Sequence, residues 1–150
     1  MTVMTLKATD YWQQKMFHII EISHPYLFRD KEMLKEIIIE RANLAYEKYL
    51  SLLKEGKEVI FAREEAKEEL LDGYQWSPTD FLRSLYSSEF NKNLKEEECI
   101  DKYFELKEIF DEYSGFDLFT NVEKEEELRV GMIAAIELNE STPQKRPEIN

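Results

Sequence analysis

The sequence predicts an all-α fold: a single-domain bundle of five or six helices around one long spine helix, at about residues 30–55. Three observations carry that reading. Apolar residues recur at helical rather than strand spacing along most of the chain. Gly and Pro number only four each in 150 residues, too few for a fold with many tight turns. The helices also have legible ends, the best being the corner Gly73 to Ser77 in AREEAKEELLDGYQWSPTDFLRSLYSSEF, residues 62–90. Gly73 stands where a left-handed residue closes a helix, because glycine alone takes that conformation freely. Ser77 then reads as an N-cap, Pro78 as the first helical residue and Asp80 as the acid of the first turn.

In chain order, residues 1–9 read as a loose end. Asp10 can cap a first helix with Tyr11, Phe17 and Ile20 inward, joined by Trp12, Met16 and Ile19. Pro25 stops it, since the residue before proline is pushed out of the α region. The PYLFR loop should pack through Tyr26, Leu27 and Phe28. Asp30 caps the spine, which runs about 26 residues or about 39 Å to Glu55 and is closed by Gly56. Its apolar stripe is Leu34, Ile38, Ala42, Ala45, Tyr49 and Leu52 or Leu53, with two alanines that let a neighbouring helix approach closely.

A third helix is expected at about Val59–Leu71, with Ala62, Ala66 and Leu70 on one stripe. A fourth is expected at Pro78–Phe90. After the polar turn Asn91–Asn93, a fifth runs from about Glu96 to Tyr113 and Gly115 ends it. Thr120 and Glu123 have the spacing of a capping box. They open a sixth helix to about Leu138, with Leu128, Met132, Ala135 and Ile136 inward. Residues 1–138 therefore read as one helical domain and 139–150 as a mobile tail.

Charge narrows the function. There are 20 basic and 32 acidic residues, net −12, and such a surface repels phosphate backbones, so direct nucleic-acid binding is not expected. No apolar run approaches the ~18 residues of a spanning helix, and MTVMTLKATD lacks the apolar core of a signal peptide. A cytoplasmic protein is expected, without membrane contact. A single cysteine, Cys99, excludes an internal disulfide.

Few constellations carry chemistry. Glu21 and His24 have the Glu-x-x-His spacing of di-iron bundles, but such a site needs a second motif and two further glutamates. The only other histidine is His18, so neither metal nor cofactor is expected. Cys99 lies in EEECI, among carboxylates that raise a thiol pKa, and a structural role is expected over a nucleophilic one. Arg41 adjoins the buried stripe and must meet a carboxylate or several carbonyls. Glu64, Asp80 and Glu89 are its candidate partners. With Ser77 they form a candidate polar cluster, read as structural or, alternatively, as an anion site at the helix N-terminus. Tyr74 and Trp76, on the corner, are candidate partner contacts.

Arg41, Ala45 and Tyr49, then Gly56, Ala62, Glu64, Ala66, Leu70, Leu71, Gly73 and Ser77, and further Asp80, Leu82, Leu85, Glu89 and Phe90 form a pattern. It resembles a family of small bacterial proteins of about this length, grouped as a domain of unknown function. The family occurs in gut and oral anaerobes, often near conjugative transposons. The resemblance implies an all-helical single domain and no activity. Relatives often carry histidine where this chain has Gln75, so chemistry at that position would not transfer.

The expectation is a non-enzymatic interaction or accessory protein, acting through an unidentified protein partner. Two alternatives stay open. The acidic runs Glu96 to Glu98 and Glu123 to Glu127 could imitate a phosphate backbone and block a host DNA-acting enzyme. An enzyme site could also be assembled around Arg41 and carboxylates.

Overall fold

The computed structural model describes residues 8–141, which contain seven α-helices, one 3-10 helix and no strand. The expected tail lies outside the described residues apart from positions 139–141, which continue the last helix. No helix among the described residues is long and apolar enough to cross a membrane. The chain divides into two compact units, Met1–Ser77 and Pro78–Asn150.

The first unit holds α1 (Ala8–Ser23), the 3-10 helix Pro25–Arg29, α2 (Lys31–Lys54) and α3 (Val59–Leu71). In α1 the inward stripe is Trp12, Met16 and Ile20. Tyr11 and Phe17, expected inside, are 43% and 42% exposed. Both lie at the flank of the stripe, where each ring meets one neighbour edge-on, Tyr11 with Trp12 and Phe17 with Phe28. PYLFR coils into the 3-10 helix, with Leu27 buried and Tyr26 and Phe28 half-buried.

The spine, α2, has 24 residues, about 36 Å. The Asp30 carboxylate accepts the Met33 N–H at its start. Its end is a Schellman closure: Gly56 takes φ 90°, its N–H bonds the Leu53 carbonyl, and the Lys57 N–H bonds that of Leu52. The reversal lays α3 back along α2. Ala42 and Ala45 on α2 and Ala62 and Ala66 on α3 are fully buried, so the small side chains let the two backbones approach.

The α3 end closes differently. Asp72 at φ −55°, ψ 123° and Gly73 at φ 87° form a type II turn, sealed by the Tyr74 N–H on the Leu71 carbonyl at 2.7 Å. A Cβ at position 73 would meet no atom within 4 Å, so the demand for glycine is purely conformational. Gly73→Val should therefore cost about 1–2 kcal/mol, and Gly73→Asn clearly less, as read from urea midpoints.

The second unit holds α4 (Pro78–Phe90), α5 (Glu96–Glu105), α6 (Lys107–Asp111) and α7 (Val122–Ser141). Phe81, Leu82 and Leu85 of α4, Cys99 and Ile100 of α5, Phe110 of α6 and the Leu128, Met132, Ile136 stripe of α7 form its core. The expected fifth helix breaks in two at Leu106, which leaves helical geometry at φ −104°, ψ 14° and is buried. The Thr120–Glu123 capping box does not form. Asn121 caps α7 instead, its side-chain oxygen accepting the Lys124 N–H, while the Thr120 hydroxyl donates to Asp117.

Candidate functional site

Arg41 finds its partners at the end of α3. Its Nε donates to the Leu70 carbonyl at 3.4 Å, and its Nη2 donates to both the carbonyl and the carboxylate of Glu69. The type II turn explains why. A helix end leaves its last carbonyls without helical N–H partners. The turn at Gly73 uses Leu71, and the Asp72 N–H reaches Glu69 only at 3.3 Å. Arg41 supplies donors to this end from α2, and its positive charge suits the negative end of the helix dipole.

Glu69 thus takes the place expected for Glu64, Asp80 or Glu89. Glu64 is exposed on α3. Asp80 pairs with Arg83 at 3.1 Å, and Glu89 pairs with Arg129 at 2.6 Å. Of the candidate cluster, Arg41 thus pairs with Glu69 within the first unit, while Asp80 and Glu89 make these ion pairs within the second. The three hydrogen bonds that Arg41 makes through Nε and Nη2 all go to the end of α3.

Of the Glu21 to His24 motif, His24 is tied to the corner, while the exposed Glu21 lies 3.6 Å from His18 Nδ1. His24 is buried and closes the gap between α1 and the 3-10 helix. Its Nε2 lies 2.8 Å from the Tyr74 carbonyl, so this nitrogen carries the proton and donates. Its Nδ1 then accepts from the Tyr26 hydroxyl at 2.9 Å. The Tyr74 ring meets the imidazole edge-on at 5.5 Å, and Ser77 Oγ donates to the Ser23 carbonyl. Tyr74 and Trp76 are both half-buried, and Tyr74 is committed to this knot as much as to the surface. Burial pushes the Tyr74 hydroxyl up, against the pull of Arg41. Among the described residues no three His, Cys, Asp or Glu side chains are grouped as a metal would need.

Cys99 is fully buried in α5. Burial pushes its thiol up, with Arg83 pulling the other way, so it is protonated at neutral pH and shielded from reagents. A chromogenic disulfide should react with Cys99 orders of magnitude more slowly in the native chain than in urea. Fast native labelling would contradict this burial.

An exposed apolar strip lies on α7. Val122 and Val130 are 75% and 57% exposed, and with Tyr113 they line a shallow groove. Glu123, Glu126 and Glu127 border it. Local order supports the strip: Asn121 fixes the helix start, and Lys124 Nζ sits 4.5 Å over the Phe116 ring. In the sequence this face is marked only by its acidic run, Glu123 to Glu127. The signal available was the pair Val122 and Val130, eight residues apart and off the Leu128, Met132, Ile136 stripe.

Residues 5–140 match a family model described as Domain of unknown function (DUF1896). Among solved structures, the chain is similar to the crystal structure of protein PG0816 from Porphyromonas gingivalis. The identity is 20% and the TM-score 0.65, over 87% of this chain and 92% of that one. At that identity the likeness is one of fold. No curated protein matches.

Proposed function

We propose that this chain, which belongs to the DUF1896 family, is a non-enzymatic protein-binding module whose docking face is the acid-bordered apolar strip of α7. The observation that carries the reading is Val122 and Val130, exposed on one groove beside Glu123, Glu126 and Glu127. Exposed apolar groups ringed by charge are the usual anatomy of an interaction surface. The occupant that fits is a basic amphipathic segment: its apolar side covers the valines and its lysines or arginines face the glutamates. Complementary charge speeds encounter, and the effect fades as salt screens charges beyond about 8 Å at physiological ionic strength.

The same face argues against imitation of DNA. Lys124 pairs with Glu127 at 3.3 Å, and Arg129 with Glu89 at 2.6 Å, so cations interrupt the row of carboxylates.

The test uses the partner captured by this chain from its source cells. Val122→Ser with Val130→Ser removes the apolar strip without touching the core. Each valine buried at the contact contributes about 1.5 kcal/mol, so affinity should fall at least about tenfold. A double variant that binds the partner as well as the wild type overturns the reading.

A further inference from the structure

Tyr86 on α4 is 1% exposed, yet no described residue reaches its hydroxyl with a hydrogen bond. Buried hydroxyls in native proteins are nearly always partnered, so an exception asks for a missing group. Tyr86 forms one wall of a cavity of about 140 Å³ in the second unit. Lys102 and Glu105 of α5 and Asn139 and Glu140 of α7 line the polar side, and Leu106 and Ile136 line the apolar side. Burial, then the charges of Glu140 and Glu105, push the phenol up to about 12, so it stays neutral and keeps a lone pair to offer.

The charges of the lining do not balance. Lys102 Nζ pairs with Glu105 at 3.4 Å. Glu140 has no ion-pair partner among the described residues, which leaves one carboxylate in excess. That excess disfavours an anion, and the Lys102 ammonium beside only two carboxylates disfavours a divalent metal. A single water would partner the hydroxyl but fill only about 30 Å³, and Glu140, exposed at the rim, is free to face a cation held there. A cavity of ~150 Å³ admits a molecule the size of benzene, so several heavy atoms fit here.

We propose that this cavity binds one ammonium or guanidinium group carried on a short apolar stem. Glu140 pairs with the cation, the Tyr86 hydroxyl oxygen accepts one of its N–H groups, and the stem lies against Leu106 and Ile136. The site shares no residue with the α7 strip and does not depend on the docking reading. The cation could be a free small amine or the side chain of a lysine or arginine from another protein.

Amide NMR titration of the full chain decides the matter, with butylammonium, N-acetyl-lysine N-methylamide and the uncharged butanol as probes. The amides of Leu106, Ile136 and Asn139 should shift saturably with at least one of the two cations and not with butanol. Saturation by butylammonium alone assigns the site to a free amine, and saturation by the capped lysine assigns it to a protein side chain. Glu140→Gln should weaken binding about tenfold, and Tyr86→Phe, which only deletes an unpartnered hydroxyl, should fold normally and weaken it severalfold. Equal response to butanol, unchanged affinity in either variant, or no saturable shift with either cation overturns the proposal.

Discussion

His24→Ala is expected to destabilise the first unit by about 2–4 kcal/mol. Two effects add. The substitution empties a fully buried ring position, and it strips the Tyr74 carbonyl and the Tyr26 hydroxyl of the imidazole bonds at 2.8 and 2.9 Å. A buried group left without its hydrogen bond costs about 1–3 kcal/mol, and a cavity adds to that. His24→Phe keeps most of the ring volume and loses both bonds, so it should fall between the wild type and alanine. Both tryptophans, Trp12 and Trp76, lie in the first unit, so urea unfolding followed by tryptophan fluorescence reports this unit selectively. Equal midpoints for wild type and His24→Ala would show that the imidazole does not tie the corner.

Arg41→Ala is expected to cost about 2–3 kcal/mol in the same assay. Hydrogen bonds from a charged donor contribute about 1.5–3 kcal/mol, but of the three that Arg41 gives, those to the Leu70 carbonyl and the Glu69 carboxylate are long at 3.4 Å, so the one to the Glu69 carbonyl dominates. Its side chain is only 11% exposed, whereas Glu69 is 34% exposed, so the carbonyls outweigh the ion pair. Arg41→Met should lose less, about 1–2 kcal/mol, because it keeps the packed stem. Glu69→Gln should lose under about 1 kcal/mol, since it leaves both carbonyl bonds intact. A Glu69→Gln loss as large as that of Arg41→Ala would mean that the ion pair, not the helix cap, is what Arg41 supplies.

Much of the architecture was legible because its punctuation is chemical. Asp30, Gly56, Gly73 and Pro78 each act through a backbone preference that one residue reveals on its own. The failures have a shared cause, which is that they depend on neighbours. Leu106 breaks a helix with neither Gly nor Pro beside it, so only packing marks the place. Tyr11 and Phe17 sit at the edge of a helical stripe, where periodicity alone cannot separate a flank from a core. Arg41 was legible as a cation needing partners. Its acid could not be read, because Glu69 is selected by the way the Gly73 turn leaves two carbonyls open. Glu21 and His24 spelled a metal spacing, yet the imidazole is spent on Tyr74 and Tyr26, fifty and two residues away. Val122 and Val130 flank an acidic run that masks them, and nothing in the local sequence marks Tyr86 as a buried hydroxyl.

The docking face is tested most directly by placing a photoreactive amino acid at Val130 and, as a control, at Glu36 on the exposed side of α2. Irradiation in a lysate of the source cells at set ionic strength, followed by peptide mapping of the adduct, identifies what covers each position. The account predicts an adduct at position 130 on a lysine- or arginine-rich amphipathic segment, formed in low salt, lost in high salt and absent from position 36. Adducts that form equally at both positions, or that map from position 130 to an acidic or uncharged segment, would contradict it.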